Sequence, residues 1–332
     1  LQAKKYIINS IKNYLLSYFK EILEMSEIEI NYISIRQNDG YITRLTHYAC
    51  PQKPKASILI LHGAAEHQKR YQDFAEFLVS QSYDVYCYDH RGHGTDKKLS
   101  ELGYFGPAGY KTVVGDAINI CEYIRSNNRS NKFYLFGHSM GSLIARNVLN
   151  SYDKFNGVIL CGTANPPWIM LKFGLFLSSA IRKFKGERHY SPLMKKLLFE
   201  GKKYTSLSSR TAFDWLSRNN TVVGLYIHDP FCGFTCTASY YYDLLKITSL
   251  ASNKKMIRAV KKSMPLFIIS GDRDPVGGFG KDITRLIERL KKYGFTNISS
   301  KIYPDCRHEL LNEINNQEVY SDIVQWLEKV KS

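Results

Sequence analysis

A serine between two glycines is the first group in the sequence that could act as a nucleophile. Residues 137–141 read Gly-x-Ser-x-Gly, with Ser139 at the centre. The motif directly follows the apolar residues 133–136 and directly precedes a helical stretch. Glycines on both sides permit a strained turn from strand to helix, which pushes the serine hydroxyl outward. The sequence therefore predicts that Ser139 is a nucleophile on a strand–turn–helix elbow.

Two later segments offer the partners that a nucleophilic serine requires. Its hydroxyl needs a general base, and the base needs a carboxylate to orient it. Asp274 and His308 each follow an apolar run that ends a few residues earlier. In hydrolases with such an elbow, the partners occur in the chain order serine, acid, histidine. We therefore predict a triad of Ser139, Asp274 and His308, with Asp272 as the alternative acid.

A loop of small residues offers a place to stabilise negative charge. Residues 62–67 follow another apolar run, where a backbone N–H can point at a developing oxyanion. Ala64 has a small side chain, which lets a substrate carbonyl approach the backbone. We predict that the N–H groups of Ala64 and Met140 form an oxyanion hole. Glu66 and His67 are expected to brace this loop through local hydrogen bonds.

Other polar groups near these motifs are given no chemical role. Glu309, next to His308, is expected to be exposed to solvent. His90 and His93 have no cluster of carboxylates beside them, so no metal site is expected. No Gly-x-Gly-x-x-Gly loop follows a strand, so no cofactor is expected either.

Short apolar runs and helical stretches supply the elements that must position these groups. Continuous apolar runs are typical of strands buried on both faces, in a parallel sheet with crossover helices. The turn at residues 38–40, Asn-Asp-Gly, predicts an N-terminal hairpin. The predicted class is therefore α/β. The runs cover residues 57–61, 84–88, 132–136, 157–161 and 265–270.

The alternation of strands and helices stops after residue 161 and resumes near residue 264. Residues 163–262 contain helical stretches and aromatic clusters but no buried strand run. This pattern predicts an inserted, mainly helical lid. Trp168, Phe173 and Phe176 lie in its most apolar stretch and are candidates for contact with an acyl chain. Ordinary packing of a lid helix is the alternative.

Five motifs follow one another in a specific order along the chain. They are HGAAEH at 62–67, DHRGHG at 89–94, GHSMG at 137–141, GDRDPVG at 271–277 and HELLNE at 308–313. This set resembles the α/β-hydrolase superfamily, and within it the monoglyceride lipase and lysophospholipase branch. The resemblance implies an eight-stranded, mostly parallel sheet, a lid after the sixth strand, and ester hydrolysis through an acyl-enzyme. It also implies that Asp274, which precedes Pro275, is the catalytic acid, and that Ala64 and Met140 are the oxyanion donors.

The net charge of +16 raises the question of an anionic partner. Residues 163–262 hold 17 Lys+Arg against 5 Asp+Glu, so most of the excess lies in the predicted lid. Charge concentrated around an apolar lid favours an anionic lipid surface over nucleic acid. We therefore predict peripheral contact with an anionic membrane and no nucleic-acid partner.

Cysteine usage and the N-terminus bear on the compartment. The seven cysteines are odd in number and lack paired spacing, which indicates free thiols in a cytoplasmic protein. Residues 1–26 are predicted to form an amphipathic helix that packs on the protein or lies on lipid. Lysines scattered through this segment are not typical of a signal peptide. No apolar run reaches the roughly 18 residues of a membrane span.

The combined prediction is a serine carboxylester hydrolase that cleaves a monoacyl lipid, either a monoglyceride or a lysophospholipid. A short-chain esterase, a thioesterase or an N-terminal peptidase of the same fold is the alternative within enzymes. A ligand-binding α/β hydrolase without turnover is the alternative of another class. The predicted catalytic domain comprises residues 27–162 and 263–332, and the lid residues 163–262.

Overall fold

An eight-stranded sheet organises the chain, in the order β1-β2-β4-β3-β5-β6-β7-β8. The first two strands pair antiparallel, and all pairings from β3 to β8 are parallel. The predicted α/β fold with an eight-stranded, mostly parallel sheet is thus confirmed. The strands are β1 (Glu29–Arg36), β2 (Ile42–Ala49), β3 (Ala56–Leu61), β4 (Tyr83–Tyr88), β5 (Phe133–His138), β6 (Gly157–Cys161), β7 (Leu266–Gly271) and β8 (Ile298–Tyr303).

The computed structural model describes residues 28–207 and 210–330. The predicted helix at residues 1–26 lies outside the described residues. Within them, no helix has the length together with the apolar character that crossing a membrane requires. The helices are α1 (Gln72–Ser80), α2 (Tyr110–Asn127), α3 (Met140–Val148), α4 (Trp168–Lys185), α5 (Pro192–Phe199), α6 (Lys202–Thr205), α7 (Asn220–His228), α8 (Ala238–Ala251), α9 (Lys254–Ala259), α10 (Lys281–Lys292) and α11 (Asn316–Lys329).

The central strands β3 to β7 are buried along their whole length. One apolar layer joins the sheet to α2, α3, α8 and α10, and the other joins it to α1 and α11. Because both faces are covered, these strands have continuous apolar runs rather than alternating ones. All seven cysteines are buried free thiols, and those at 87, 121 and 161 belong to these layers.

Helices α4 to α9 connect β6 to β7. The prediction that this insertion is mainly helical is confirmed for its described residues, which add one isolated bridge between Tyr190 and Thr237. Helix α8 packs against α3, the helix that begins directly after Ser139. The insertion therefore lies over the carboxyl ends of the strands, where the loops of an open α/β sheet meet. Its role as a lid stays a prediction.

Candidate active site

Ser139 lies at the sharp turn between β5 and α3. Its backbone has φ 51° and ψ −117°, a conformation that residues other than glycine rarely adopt. The two flanking glycines are needed because the chain passes very close to its neighbours. A Cβ on Gly141 would overlap the carbonyl oxygen of Leu61, and one on Gly137 would approach the Gly141 carbonyl oxygen to 2.5 Å. The turn thus has the strained geometry that the sequence motif predicts.

Asp274 and His308 come together at the ends of β7 and β8. The Nδ1 atom of His308 lies 3.0 Å from Oδ2 of Asp274, and both side chains are buried. The other carboxylate oxygen, Oδ1, accepts a hydrogen bond of 2.8 Å from the N–H of Val276. Asp272, the alternative acid, instead lies 3.9 Å from Arg273. The carboxylate that reaches the imidazole is therefore that of Asp274.

Three neighbours hold the ring of His308 on the remaining sides. The ring centroid of Trp215 lies 5.2 Å away, and that of His138 lies 4.8 Å away. Gly162 approaches so closely that a Cβ there would lie 3.1 Å from the imidazole. His308 and Ser139 line one cavity together with Ala64. The arrangement presents an oriented imidazole to the cavity that contains the serine.

The loop after β3 presents backbone donors to the same cavity. Within the described residues, the N–H groups of Ala64 and Met140 donate to no other protein group. Ala65, by contrast, has its N–H bonded to Nε2 of His93 at 3.2 Å. The carbonyl oxygen of Ala65 accepts hydrogen bonds from Gly233 N–H at 2.9 Å and from the Tyr226 hydroxyl at 3.1 Å. The loop is therefore fixed from both sides, with two donors left available.

Glu66 and His67 brace this loop, as predicted. The Oε1 atom of Glu66 accepts hydrogen bonds from Gly63 N–H at 2.5 Å and from the Tyr71 hydroxyl at 2.7 Å. His67 pairs with Asp229 of the insertion, with Nε2 2.7 Å from Oδ2. The oxyanion loop is thus tied to the core on one side and to the insertion on the other.

The expectation that Glu309 is exposed to solvent is wrong. Its side chain is buried and accepts two hydrogen bonds of 2.7 Å from the guanidinium of Arg70, which also binds Glu66. Burial alone would raise the pKa of Glu309, but the charge of Arg70 outweighs it and lowers that pKa. Only half of this arrangement has a local signal: Arg70 follows Glu66 by four residues. The partner at 309 lies 239 residues further along the chain.

The histidines of the neighbouring loops are neutral. Burial lowers the pKa of His62 to about 4 and that of His93 to about 3, and it lowers that of His90 as well. These rings pack against one another, with the centroids of His62 and His90 4.3 Å apart. They therefore act as packing and hydrogen-bonding groups around the oxyanion loop.

One group of possible metal ligands occurs in the part of the chain that the structure describes. His67, Asp229 and Cys232 each offer a ligand atom within 4.8 Å of the others. His67 and Asp229 already bind each other, and burial raises the pKa of Cys232, which opposes formation of a thiolate ligand. The donor set therefore fits a hydrogen-bonded contact better than a metal site.

An apolar cavity of about 170 Å³ also reaches Ser139 and Met140. From helix α4 it is lined by Met170 and Leu171. The predicted acyl-chain contacts do not line it: Trp168, Phe173 and Phe176 are between 62% and 73% exposed. They lie on the outer face of α4, whose inner face buries Leu171, Gly174 and Ser178. Sequence hydrophobicity alone does not separate these faces, because α4 is apolar on both.

Comparison with known proteins agrees with this geometry. The model of a hydrolase family described as "serine aminopeptidase, S33" matches residues 52–315. Human monoglyceride lipase is 26% identical over 300 residues, which cover 87% of this chain and 88% of that protein. Monoacylglycerol lipase of Mycolicibacterium smegmatis is 26% identical and covers 82% of this chain and 88% of its own. A thermostable carboxyl esterase from Bacillus coagulans, solved with glycerol, has a TM-score of 0.83 at 25% identity, covering 92% of this chain and 99% of its own.

Proposed function

The chain belongs to the S33 serine aminopeptidase family of α/β hydrolases, in its monoglyceride lipase-like branch of ester-hydrolysing enzymes, and we propose on that basis that it cleaves monoacyl lipids. The preferred substrate is a monoglyceride or a lysophospholipid. The observation that supports it most directly is the apolar cavity of about 170 Å³ that reaches Ser139. A cavity with apolar walls and a few polar groups at one end suits an acyl chain whose ester lies at the serine.

In the proposed mechanism, the Oγ of Ser139 attacks the ester carbonyl carbon while His308 accepts the hydroxyl proton. Asp274, held 3.0 Å from Nδ1, fixes the imidazole tautomer and stabilises the imidazolium that forms. The tetrahedral intermediate collapses with loss of the alcohol, which takes the proton from His308. Water then repeats the sequence on the acyl-enzyme and releases the fatty acid.

The N–H groups of Ala64 and Met140 stabilise the oxyanion of each tetrahedral intermediate. Both donors are free to do so, because neither is used inside the described part of the chain. Preorganised donors of this kind contribute about 3 kcal/mol each to transition-state stabilisation. The fixed carbonyl of Ala65 keeps this loop in place when the substrate enters.

A substrate screen tests the proposed reaction. Monoacylglycerols, lysophospholipids, short esters and aminoacyl amides are given to the wild type and to Ser139→Ala. We expect the longer acyl esters to be preferred, and Ser139→Ala to lower kcat by roughly 10⁴-fold or more. Ser142→Ala is the matched control, since it removes the next hydroxyl, which bonds to the Ser139 carbonyl oxygen. Preference for aminoacyl amides would favour the peptidase alternative, and full activity of Ser139→Ala would overturn the mechanism.

We further propose that residues 163–262 act as a lid that contacts an anionic membrane surface. The outer face of α4 exposes Trp168, Phe173 and Phe176, and Phe184 at its end is 82% exposed. The same helix carries Arg182, Lys183 and Lys185 in its last turn. Apolar side chains flanked by cations are typical of segments that lie in the interface of anionic lipid. Binding to vesicles that contain phosphatidylserine, with none to neutral vesicles, is the expected result; equal binding to both would contradict it.

A further inference from the structure

A second, separate cleft lies on the flank of the insertion, between the start of α4, the end of α8 and the outer face of α10. It measures about 490 Å³, and neither Ser139 nor His308 lines it. Its charged lining residues are all cationic: Lys172, Arg285 and Arg289. We call it the basic cleft. Its lining is completed by Asn165, Pro166, Pro167, Trp168, Leu171, Leu175, Ser249, Ser252 and Asn253.

Arg289 is the cation whose hydrogen bonds are least satisfied. One terminal nitrogen, Nη2, donates to Oδ1 of Asn165 at 2.9 Å. The Nε–H is buried and has no partner, and the hydroxyl of Ser252, which lines the same cleft, is also buried without one. No carboxylate of the described residues lies within ion-pair distance of Arg289. Two buried donors therefore face a cleft that offers them no acceptor from the protein.

A second guanidinium lies behind the first. Arg146 is only 8% exposed and bonds to neutral oxygens, the carbonyls of Ala164 at 2.9 Å and Ala251 at 2.8 Å. Burial and the charge of Arg289 lower the pKa of Arg146 to about 9. Two neighbouring cations without an anion raise the electrostatic potential at the cleft, because buried charge is stable mainly when paired.

The other deeply buried arginines of the described chain show what is missing here. Arg70 binds Glu66 and Glu309, and Arg91 binds Asp116 at 2.6 Å. In both cases a carboxylate neutralises the guanidinium. The pair at 146 and 289 departs from this pattern, which indicates that its counter-ion comes from outside the chain.

The start of helix α4 adds further positive potential to the basic cleft. The helix has 18 residues, and its N-cap, Pro167, provides no side-chain hydrogen bond. Its first turn holds no acidic residue. Free N–H groups at the N-terminus of a long helix favour an anion. Pro167 and Trp168 both line the basic cleft, so this end of the helix faces it.

We propose that the basic cleft binds the phosphate group of an amphiphilic ligand, with Arg289 and Ser252 donating to its oxygens. A phosphate fits better than a single-point anion, because its several acceptor oxygens match donors that come from three elements. The apolar wall of Trp168, Leu171 and Leu175 would then contact a chain attached to the phosphate. This site is distinct from the proposed ester-hydrolysing site, and binding there can be measured without turnover.

Calorimetric titration tests the proposal with three probes: inorganic phosphate, a short-chain lysophosphatidate below its micellar concentration, and the matching monoacylglycerol. We expect the wild type to bind one or both phosphate probes, and Arg289→Gln to weaken that binding about tenfold or more. Lys291→Gln is the matched control, because it removes the same charge from an exposed position on α10 outside the cleft. Its affinity should stay close to that of the wild type.

The outcomes separate the sources of the phosphate. Tighter binding of lysophosphatidate than of inorganic phosphate assigns a lipid headgroup, and equal binding assigns a free phosphate. Should Arg289→Gln fail to fold, Lys172→Gln replaces it, since Lys172 is exposed at the cleft rim. No binding of either phosphate probe, or equal binding by wild type, Arg289→Gln and Lys172→Gln, would overturn the proposal. Binding of the monoacylglycerol as tightly as lysophosphatidate would also overturn it.

Discussion

At the scale of single residues, Arg70 connects the two halves of the site. Its guanidinium joins Glu66, which holds the oxyanion loop, to Glu309, which directly follows His308. The ring of Tyr226, from the insertion, covers it, with 4.8 Å between the guanidinium carbon and the ring centroid. Arg70 thus fixes the position of the oxyanion donors relative to the imidazole without touching the reacting atoms.

Replacement of Arg70 by methionine should destabilise the fold strongly. Two buried carboxylates, Glu66 and Glu309, would then face each other without a cation, and breaking a buried ion pair costs about 3–5 kcal/mol. Urea unfolding of Arg70→Met measures this change. The double variant Arg70→Met/Glu309→Gln serves as the comparison and should recover part of the loss. An unfolding free energy for Arg70→Met equal to that of the wild type would contradict this account.

The same carboxylates give the stability a defined pH dependence. Burial would raise the pKa values of Glu66 and Glu309, but the charge of Arg70 outweighs it and holds both below the ordinary value of 4.5. Below pH 4.5 the unfolded chain therefore binds more protons than the folded chain. The stabilisation is complete above that pH and is lost as the pH falls through the lower, folded-state values.

Glu309→Gln should flatten this acid limb of the stability curve. Urea midpoints at about pH 6 and about pH 3.5 compare the variant with the wild type. We expect the wild type to lose more stability between the two values than Glu309→Gln does. The same loss in both proteins would show that other carboxylates carry the acid dependence.

Residues with a chemical signature could be placed from the sequence, while those that act through a distant partner could not. Ser139, Asp274 and His308 lie where the strand–loop pattern predicts them, because each follows a buried strand of a parallel sheet. Glu309 was misplaced because a glutamate beside a polar loop has no local sign of burial. Its exposure is decided by Arg70, which only the closed fold brings to it.

At the scale of elements, the elbow depends on how closely α3 approaches β3. A Cβ on Gly141 would overlap the Leu61 carbonyl oxygen, which is backbone and cannot rotate away. Gly141→Ala should therefore displace α3 and destabilise the fold by about 1–3 kcal/mol, with a larger relative loss of kcat. Thermal unfolding and ester turnover measure the two effects.

Gly115→Ala is the matched control for Gly141→Ala. Gly115 lies inside α2, and a Cβ there would meet no atom within 4 Å. The added methyl group should stabilise the helix by roughly 0.5–1 kcal/mol. Equal effects of the two substitutions would show that the close approach of Gly141 does not limit the elbow.

Strand positions were predictable to within a few residues, whereas the orientation of α4 was not. A strand buried on both faces has one pattern and one place, in the middle of the sheet. Helix α4 is apolar on both faces, so its sequence does not say which face meets the cavity. The structure turns Leu171 inward and leaves Phe173 and Phe176 outside.

At the scale of the whole molecule, the uneven charge makes vesicle binding dependent on salt. Residues 163–262 carry 17 of the 46 Lys+Arg but only 5 of the 30 Asp+Glu. Binding to phosphatidylserine vesicles should weaken between about 0.1 M and about 1 M NaCl, as the screening length falls from about 10 to about 3 Å. Co-sedimentation across this range measures it. Binding that salt leaves unchanged would mean that the exposed apolar face of α4 acts without electrostatic attraction.

The hydrogen bonds to the Ala65 carbonyl have a consequence for modular exchange. Gly233 and Tyr226 belong to the insertion, yet they hold the loop that carries the Ala64 donor. The insertion therefore cannot be treated as a detachable cover placed on a finished catalyst. A chimera that receives this segment from a related hydrolase would inherit a different setting of the oxyanion loop. Its turnover of even the smallest ester would change along with its substrate preference.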